Sequence, residues 1–256
     1  MSAPATTRLV DIVFPGDTNH HGTLFGGVGL SQMDKVAFIT AARHAPVDFV
    51  TASCERIDFE TPATLGDIIE LTGRVARVGR TSLSVEVDLV AEALLSGERR
   101  RVGRGTFHMV GVGERLAGLG GRLPPMREVR PDAEDASAMV EMVFPDLTSH
   151  YGSLHGGEAL AAMGKAAFVT ATRHCRKPVV LRAGERVDFT SEVRAGEVLE
   201  LRPRITATGR SSMTVDVELQ AETLLSGKRR ACGTGRFVMV AVDESHRPVP
   251  AGRRAA

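Results

Sequence analysis

Apolar residues follow a helical spacing in the segment from Gly27 to His44. They recur every three or four positions, at Leu30, Met33, Ala37, Thr40 and Ala41. This spacing is typical of a helix that buries one face. The cationic pair Arg43-His44 closes the segment, where the negative end of a helix dipole favours positive charge. The pattern predicts one long helix over these residues.

Strand patterns follow this helix and continue to residue 112. Residues 82–89 alternate polar and apolar side chains, as half-buried antiparallel strands do. We predict strands at residues 49–59, 68–78, 82–93 and 104–112, with a further strand before the helix at 8–14. One helix followed by a four-stranded meander predicts an α+β domain in which an antiparallel sheet wraps around the helix.

The same pattern occurs twice along the chain. Val13-Phe14-Pro15 recurs 130 residues later as Val143-Phe144-Pro145, and Arg43-His44 recurs as Arg173-His174. The offset holds without insertion or deletion as far as Phe237, and it also relates Phe25-Gly26-Gly27 to His155-Gly156-Gly157, Glu55–Phe59 to Glu185–Phe189, and Leu94–Gly97 to Leu224–Gly227. Because this period far exceeds the roughly 20–50 residues of solenoid repeats, each copy is predicted to be a domain.

The repeat sets the domain boundaries. We predict a first domain over residues 1–112, a linker over 113–137 and a second domain over 138–243. The linker is rich in Gly, Pro and charged residues, so we expect it to be exposed and semi-extended. Residues 244–256 contain two prolines and several arginines, and we expect a disordered tail there.

Composition and charge exclude several kinds of partner. The 256-residue chain has a formal net charge of +1, and aromatic residues make up only 4% of it. Neither value favours binding to nucleic acid or to a membrane surface. The three cysteines have no metal or disulfide spacing, and no segment has the length of a signal peptide's apolar region or of a membrane span. We expect a cytoplasmic protein with reduced thiols.

Candidate chemistry lies at the start of the predicted helix. The pair Gly26-Gly27 permits close backbone approach, and the first N–H groups of a helix have no partner within it. These groups could stabilise the oxyanion formed at an acyl carbonyl. Asp34 borders the apolar face of the helix, where a carboxylate is costly unless it is paired or used. The histidines show no metal-binding spacing, so we expect no metal.

The combined motifs resemble the hotdog-fold acyl-CoA thioesterases, in particular bacterial YciA and the two-domain brain-type acyl-CoA hydrolases. They are DTNHHGTLFGG at 17–27, SQMDK at 31–35, VTASCERIDF at 50–59 and GRTSLSVEV at 79–87. The resemblance covers both copies and implies two hotdog units with an acyl-CoA site at their interface. It implies that Asp34 is the general base or nucleophile and that Asn19 positions water or substrate. Backbone N–H groups would hold the oxyanion, and their positions are Gly26, Gly27, Gly156 and Gly157.

The second copy differs at the two positions that the resemblance makes functional. Asp34 corresponds to Gly164, and Asn19 corresponds to Ser149. Gly164 either opens space for a ligand or marks a decayed site. In the family each site takes its acid from one unit and its loop from the other. Asp34 would then act with the loop 149–157, which leaves one functional site per chain.

Further positions are candidates for substrate binding. Relatives contact the CoA nucleotide at the turn that corresponds to Arg80, and arginine suits phosphate by its charge and geometry. His20 and His21 could contact the substrate or could be ordinary exposed loop residues, and Glu55-Arg56 are more consistent with a structural pair. The candidate substrate-binding residues are Thr23, Ser149, Ser153, His155, Arg80, Thr81, Ser82, Arg210, Ser211 and Ser212.

The sequence therefore predicts a thioesterase that hydrolyses acyl-CoA to a free acid and CoA, in fatty acid metabolism. Asp34 either activates water or attacks the thioester to form an anhydride. No cofactor is expected, since CoA is part of the substrate. We expect a homotrimer of two-domain chains. The alternatives are an acyl-CoA-binding or sensing protein without activity, and a hotdog dehydratase or hydratase.

Overall fold

Two compact units, each built on one antiparallel sheet, make up the part of the chain that the computed structural model describes, residues 6–126 and 138–252. The first unit contains β1 (Thr6–Ile12), α1 (Gly26–His44), β2 (Asp48–Phe59), β3 (Ile68–Val78), β4 (Ser82–Glu92), β5 (Arg99–Val112) and the short α2 (Gly113–Gly118). The second contains β6 (Met139–Met142), α3 (Gly156–Cys175), β7 (Val179–Phe189), β8 (Glu197–Thr208), β9 (Ser212–Thr223) and β10 (Lys228–Ala241).

The two sheets have the same strand order. It is β1-β3-β4-β5-β2 in the first unit and β6-β8-β9-β10-β7 in the second, so β2 and β7 are the edge strands that correspond. Short 3-10 helices at Pro15–Asp17 and Pro145–Leu147 lead into the loops before α1 and α3. The predictions of an α+β fold, of two copies, and of a helix cradled by an antiparallel sheet are confirmed.

Each helix buries its apolar face on the sheet of its own unit. In the first unit α1 packs mainly on β3 and β4. Gly73 lies where the helix approaches β3 most closely, since an added Cβ would be 2.5 Å from Thr40 Oγ1. The first core includes Met33, Val36, Ile39, Leu71, Leu83, Val85 and Leu89, and the second includes Met163, Ala166, Val169, Leu199, Met213, Val215 and Leu219. Along β4 and β9 every second side chain is buried in the core. The period-two pattern in the sequence therefore identifies the residues of these strands that face the core.

Charged residues form a network on each sheet. Glu70 on β3 accepts hydrogen bonds from Arg8 at 2.5 Å and from Arg99 at 3.0 Å. Burial opposes ionisation of Glu70, but the two guanidinium groups outweigh it and lower the pKa of this carboxyl to about 2. In the second unit the corresponding Glu200 pairs with Arg202 at 2.6 Å and with Arg229 at 3.4 Å. The acid is thus kept at the same position while one of its cations comes from a different strand.

Most of residues 113–126 are exposed, as composition predicted, but the segment is not the semi-extended linker that we expected. The chain enters α2 directly after β5, and both Leu116 and Leu123 are buried. The N–H of Leu123 donates to the carbonyl of Arg80 at 2.7 Å, and His44 Nε2 lies 3.0 Å from the carbonyl of Pro124. Two leucines in a polar segment thus fix it to the first unit. The remainder of the predicted linker, residues 127–137, lies outside the described residues.

The predicted disordered tail is also ordered as far as residue 252. Val249 donates its N–H to the carbonyl of Ala241, and Ala251 donates to the carbonyl of Arg210, at 2.9 and 2.8 Å. Ala251 is fully buried, because it lies against the second unit. The prolines in this segment thus shape an extended chain that is fixed by hydrogen bonds. Residues 253–256 lie outside the described part of the chain.

The element ends differ slightly from those predicted. The structure begins α1 at Gly26 rather than Gly27 and β5 at Arg99 rather than residue 104, and β1 ends at Ile12 because the turn at Pro15 follows. None of the helices in the described ranges combines the length and the apolar character needed to span a membrane.

Candidate functional site

The loop before α1 is shaped by Asn19. Its Oδ1 accepts hydrogen bonds from the backbone N–H groups of His21 at 2.9 Å and Thr23 at 3.3 Å. Its Nδ2 donates to Thr23 Oγ1 at 3.0 Å, and Gly22 completes the turn with a φ of +73°. The structure therefore places the two candidate residues Asn19 and Thr23 in contact. Their side chains hydrogen-bond to each other and stabilise the loop.

The start of α1 offers two backbone donors. The carbonyl of Phe25 accepts from Val28 and Gly29, and among the described residues nothing accepts from the N–H groups of Gly26 or Gly27. The ring of Phe25 lies over Gly27, where an added Cβ would be only 2.6 Å from ring carbon Cε1. Glycine at this position thus lets an exposed aromatic ring lie against the helix terminus.

The start of α3 differs because its capping residue is His155. The N–H of Gly157 donates to His155 Nδ1 at 3.2 Å, which satisfies one of the free N–H groups of the helix. This bond requires the ring proton, when the imidazole is neutral, to be on Nε2. The N–H of Gly156 has no acceptor in the described part of the chain. Of the two predicted donors in this copy, only Gly156 is therefore available to a ligand.

Ser149 occupies the place of Asn19 in the loop before α3. Its Oγ lies 3.3 Å from Ser153 Oγ and accepts from the N–H of Tyr151 at 3.3 Å. Gly152 has the same positive φ, +75°, as its counterpart Gly22. The loop therefore keeps its shape with a smaller side chain.

Asp34 is half-buried on α1 and has a partner that the sequence did not reveal. Thr51 on β2 donates its hydroxyl to Asp34 Oδ1 at 2.7 Å, and its Oγ1 lies 3.6 Å from Met109 Sδ. A carboxylate held by one hydroxyl keeps its second oxygen for another donor. Asp34 can thus act as a base or a nucleophile in an orientation that Thr51 fixes.

The corresponding pair in the second unit has no polar group. Gly164 replaces Asp34, and Leu181 replaces Thr51 at the same strand position, opposite Met239 as Thr51 is opposite Met109. A Cβ added to Gly164 would meet nothing within 4 Å, so packing does not require glycine there. The side chain of Leu181 is 54% exposed. The second helix therefore carries open space in place of an acid.

The two β-turns predicted to meet the CoA nucleotide present free arginines. The Arg80 and Arg210 side chains are exposed, and neither has an acidic partner among the described residues. The turns themselves are well held: Ser82 and Ser212 accept from Gly79 and Gly209, and Thr81 and Ser211 accept from Gly111 and Ala241 through their carbonyls. These arginines are therefore available for an anion.

The remaining candidates have ordinary surroundings. His20 and His21 are exposed, with their rings 3.8 Å apart. Glu55 lies 3.4 Å from His108 Nε2 on the neighbouring strand, in line with a structural role. Within residues 6–126 and 138–252 there is no group of three His, Cys, Asp or Glu side chains that could hold a metal ion.

Comparison with known proteins gives matches over both units. The model of the thioesterase superfamily matches residues 21–96 and 151–227. A crystal structure of an acyl-CoA hydrolase from Agrobacterium tumefaciens is 50% identical, with a TM-score of 0.85, and the match covers 97% of this chain and 98% of that one.

More distant relatives extend the same match. The cytosolic acyl coenzyme A thioester hydrolase of Rattus norvegicus is 22% identical over 93% of this chain and 75% of its own length. YkhA of Bacillus subtilis, named as an uncharacterized acyl-CoA thioester hydrolase, is 37% identical over 48% of this chain and 69% of its own.

Proposed function

Because this chain belongs to the thioesterase superfamily, we propose that it hydrolyses acyl-CoA thioesters to a free carboxylic acid and CoA. The proposal rests on the hydrogen bond from Thr51 to Asp34, which fixes the orientation of a half-buried carboxylate. The 50% identity to a protein named acyl-CoA hydrolase, over nearly the whole of both chains, supports it.

The reaction breaks the C–S bond of the thioester. In one route Asp34 takes a proton from water, the water oxygen bonds to the acyl carbon, and the proton passes to the departing thiolate. In the other route Asp34 itself bonds to the acyl carbon and expels the thiolate, and water then cleaves the anhydride. In both routes negative charge develops on the carbonyl oxygen, where the N–H of Gly156 can donate.

We propose one active site per chain, because only the first helix carries an acid, Asp34, at this position. We also propose that the loop 149–157 of the second copy binds the substrate. The free N–H of Gly156 and the hydroxyls of Ser149 and Ser153 are the polar groups that this loop offers. The second helix carries Gly164 in place of an acid, so we propose that any site built on it is inactive. Arg80 and Arg210 are proposed to contact the phosphates of CoA, because both guanidinium groups are exposed and lack an acidic partner in the described residues.

Assembly and location follow as further proposals. Three chains would form a ring of six units, and light scattering would show about three times the chain mass of 27.3 kDa. A stable particle of one chain mass would contradict the trimer. A cytoplasmic location agrees with the name of the rat relative, a cytosolic acyl coenzyme A thioester hydrolase. A role in fatty acid metabolism is proposed from the acyl-CoA substrate alone.

The function is tested by CoA release from a series of acyl-CoA substrates of increasing chain length. We expect turnover by the wild-type chain and a fall of kcat by at least about 100-fold in Asp34→Asn, since a general base or nucleophile is lost. The matched variant Gly164→Ala changes the corresponding helix position and should stay within about twofold of wild type.

Two outcomes would contradict the proposal. If Asp34→Asn retains full activity, Asp34 is not the catalytic group. If the wild-type chain binds acyl-CoA without turnover, the protein is a binding or sensing module instead.

A further inference from the structure

A cavity of about 350 Å³ opens beside the start of α3, within the second unit. Gly156, the first residue of the helix, lies at its edge, and Ala159 lines it one turn further on. Its other walls come from the end of β7, from the segment that follows, and from Leu219 on β9. It therefore runs from the free N–H of Gly156 towards the core of the unit.

The wall of this cavity is apolar at depth. Ala159, Val193 and Leu219 are buried residues of the core, and Leu154 and the half-exposed Phe189 complete the apolar surface.

Most of the polar side chains in the lining already have partners within the protein. Ser191 Oγ donates to the carbonyl of Ala231 at 3.0 Å, Ser153 Oγ pairs with Ser149 Oγ, and Glu192 pairs with Arg194. An apolar ligand therefore suits this cavity better than a charged one.

We propose that this cavity receives the acyl chain of the substrate and that Ala159 and Phe189 limit the length of that chain. The inference rests on the proposed function, in which Gly156 donates to the thioester carbonyl. The acyl chain is the apolar group bonded directly to that carbonyl, and the cavity is the apolar space directly beside Gly156. CoA, on the other side of the carbonyl, is polar and would extend towards solvent.

The volume sets the class of substrate. An apolar protein cavity of roughly 150 Å³ takes one benzene ring, so 350 Å³ has room for about a dozen carbon atoms. Short and medium acyl chains fit, and longer chains would have to leave the cavity past Phe189. We therefore assign the enzyme to acyl-CoA of up to about twelve carbons.

Ala159 and Phe189 have matched positions in the first copy. Gly29 corresponds to Ala159, and Phe59 corresponds to Phe189. Phe59 and Phe189 have nearly equal exposure, 46% and 48%. The ring of Phe59 lies against the helix, 3.4 Å from where a Cβ on Gly29 would be. Phe59→Ala is therefore a control that removes the same ring from the other unit.

The test measures kcat/KM for straight-chain acyl-CoA substrates of four to sixteen carbons. Ala159→Leu fills the cavity. We expect the kcat/KM for the ten-carbon substrate, divided by that for the four-carbon substrate, to fall at least about tenfold. The reason is that each methylene excluded from an apolar site lowers kcat/KM about fourfold. Phe189→Ala opens the mouth, and the ratio for sixteen carbons to that for eight should rise about fivefold. Phe59→Ala should leave both ratios at their wild-type values.

The outcomes separate this inference from the proposed function. If the wild-type chain hydrolyses the series but Ala159→Leu and Phe189→Ala both keep its chain-length profile, the cavity does not hold the acyl chain. An equal change in Phe59→Ala would also overturn the inference. If the wild-type chain releases CoA from no substrate, the proposed function itself fails. Because Phe189 is half-exposed, its variant keeps the test valid even if Ala159→Leu folds poorly.

Discussion

The two copies of the domain have the same strand order, but they carry different side chains at one pair of helix and strand positions. In the first copy Asp34 on α1 accepts a hydrogen bond from Thr51 on β2; in the second, Gly164 and Leu181 occupy the same positions. The strand register at this pair is the same in both copies, and packing does not require Gly164. The fold therefore forms without the acid and the hydroxyl. Their retention in one copy points to chemistry as the reason for them.

The loops before the two helices also differ, and here it is the second copy that has the additional cap hydrogen bond. The first copy has Asn19, whose side chain bonds to His21 and Thr23 within its loop, and Phe25 as a helix cap without a side-chain bond. The second has the smaller Ser149 and the capping residue His155. The first copy thus carries the acid, and in the second copy the loop lies beside an apolar cavity.

After the loss of Asp34 itself, the largest expected effect comes from the loss of the Thr51 hydroxyl, which orients the acid. Thr51→Val keeps the shape of the side chain but removes the donor to Asp34. Hydrogen bonds to charged groups contribute about 1.5–3 kcal/mol, so we expect kcat to fall by about 10- to 100-fold. Leu181→Val changes the corresponding strand position and should leave kcat within about twofold. Steady-state CoA release measures both, and equal losses in the two variants would remove the distinction between the copies.

The ion-pair network of the first sheet should show in stability rather than in activity. The pKa of Glu70 is lowered to about 2 in the folded chain. The ionised carboxyl therefore stabilises the fold at pH values above the ordinary pKa range of a glutamate. That contribution is lost as pH falls through about 5 towards 2. Glu70→Gln should lower the free energy of unfolding by about 2 kcal/mol at pH 7, a value reduced for the partial exposure of Arg99.

The difference between Glu70→Gln and wild type should therefore shrink as the solution is acidified. Urea unfolding at pH 7, 5 and 3 provides the measurement. Glu86→Gln is the control on the same sheet, since the Glu86 side chain is 40% exposed and lies 3.5 Å from Arg74. It should cost less than about 0.5 kcal/mol. A pH-independent difference for Glu70→Gln would show that its charge does not matter.

The second copy can be used to restore what the first has lost. In an Asp34→Asn background, Gly164→Asp together with Leu181→Thr places the acid and its donor on the second helix–strand pair. The open space at Gly164 accommodates the side chain. We expect activity about tenfold above the Asp34→Asn parent, while Gly164→Ala with Leu181→Val gives no gain. No gain in either would show that the second site has lost more than these two groups.

The smallest effect concerns the helix caps. His155→Ala removes the side chain that accepts from the N–H of Gly157, and loss of such a cap typically costs about 1 kcal/mol. Phe25→Ala removes no cap hydrogen bond and should cost less. Urea unfolding compares the two variants, and the hypothesis fails if Phe25→Ala is the more destabilising.

Much of the fold followed from local patterns in the sequence. The three- and four-residue spacing predicted α1, the alternation over residues 82–89 predicted β4, and the 130-residue offset predicted two copies. Contacts between distant segments did not follow. The Thr51–Asp34 bond depends on the register of β2, which shifts between Thr51 and Ser53, and no local pattern encodes that shift. Ala251 lies in a segment of polar composition, and its burial depends on a surface that other strands form.

The site was predicted in part for the same reason. Asp34 is recognisable because a carboxylate at the edge of an apolar helix face needs an explanation. The glycine pair alone could not predict the hydrogen bond from the N–H of Gly157 to His155, since the residue before the pair differs between the two copies.

The repeat without insertions has a consequence for how this chain can evolve. In a protein assembled from identical single-domain chains, any substitution appears in every unit at once, so a helix that loses its acid loses it at every site. Here the two units are encoded separately, and a change such as the one at Gly164 affects one of them alone. Separate encoding thus frees the second helix from the need to carry an acid. The rest of the second unit, which keeps the proposed donor Gly156, can then adapt its apolar cavity to one class of acyl chain.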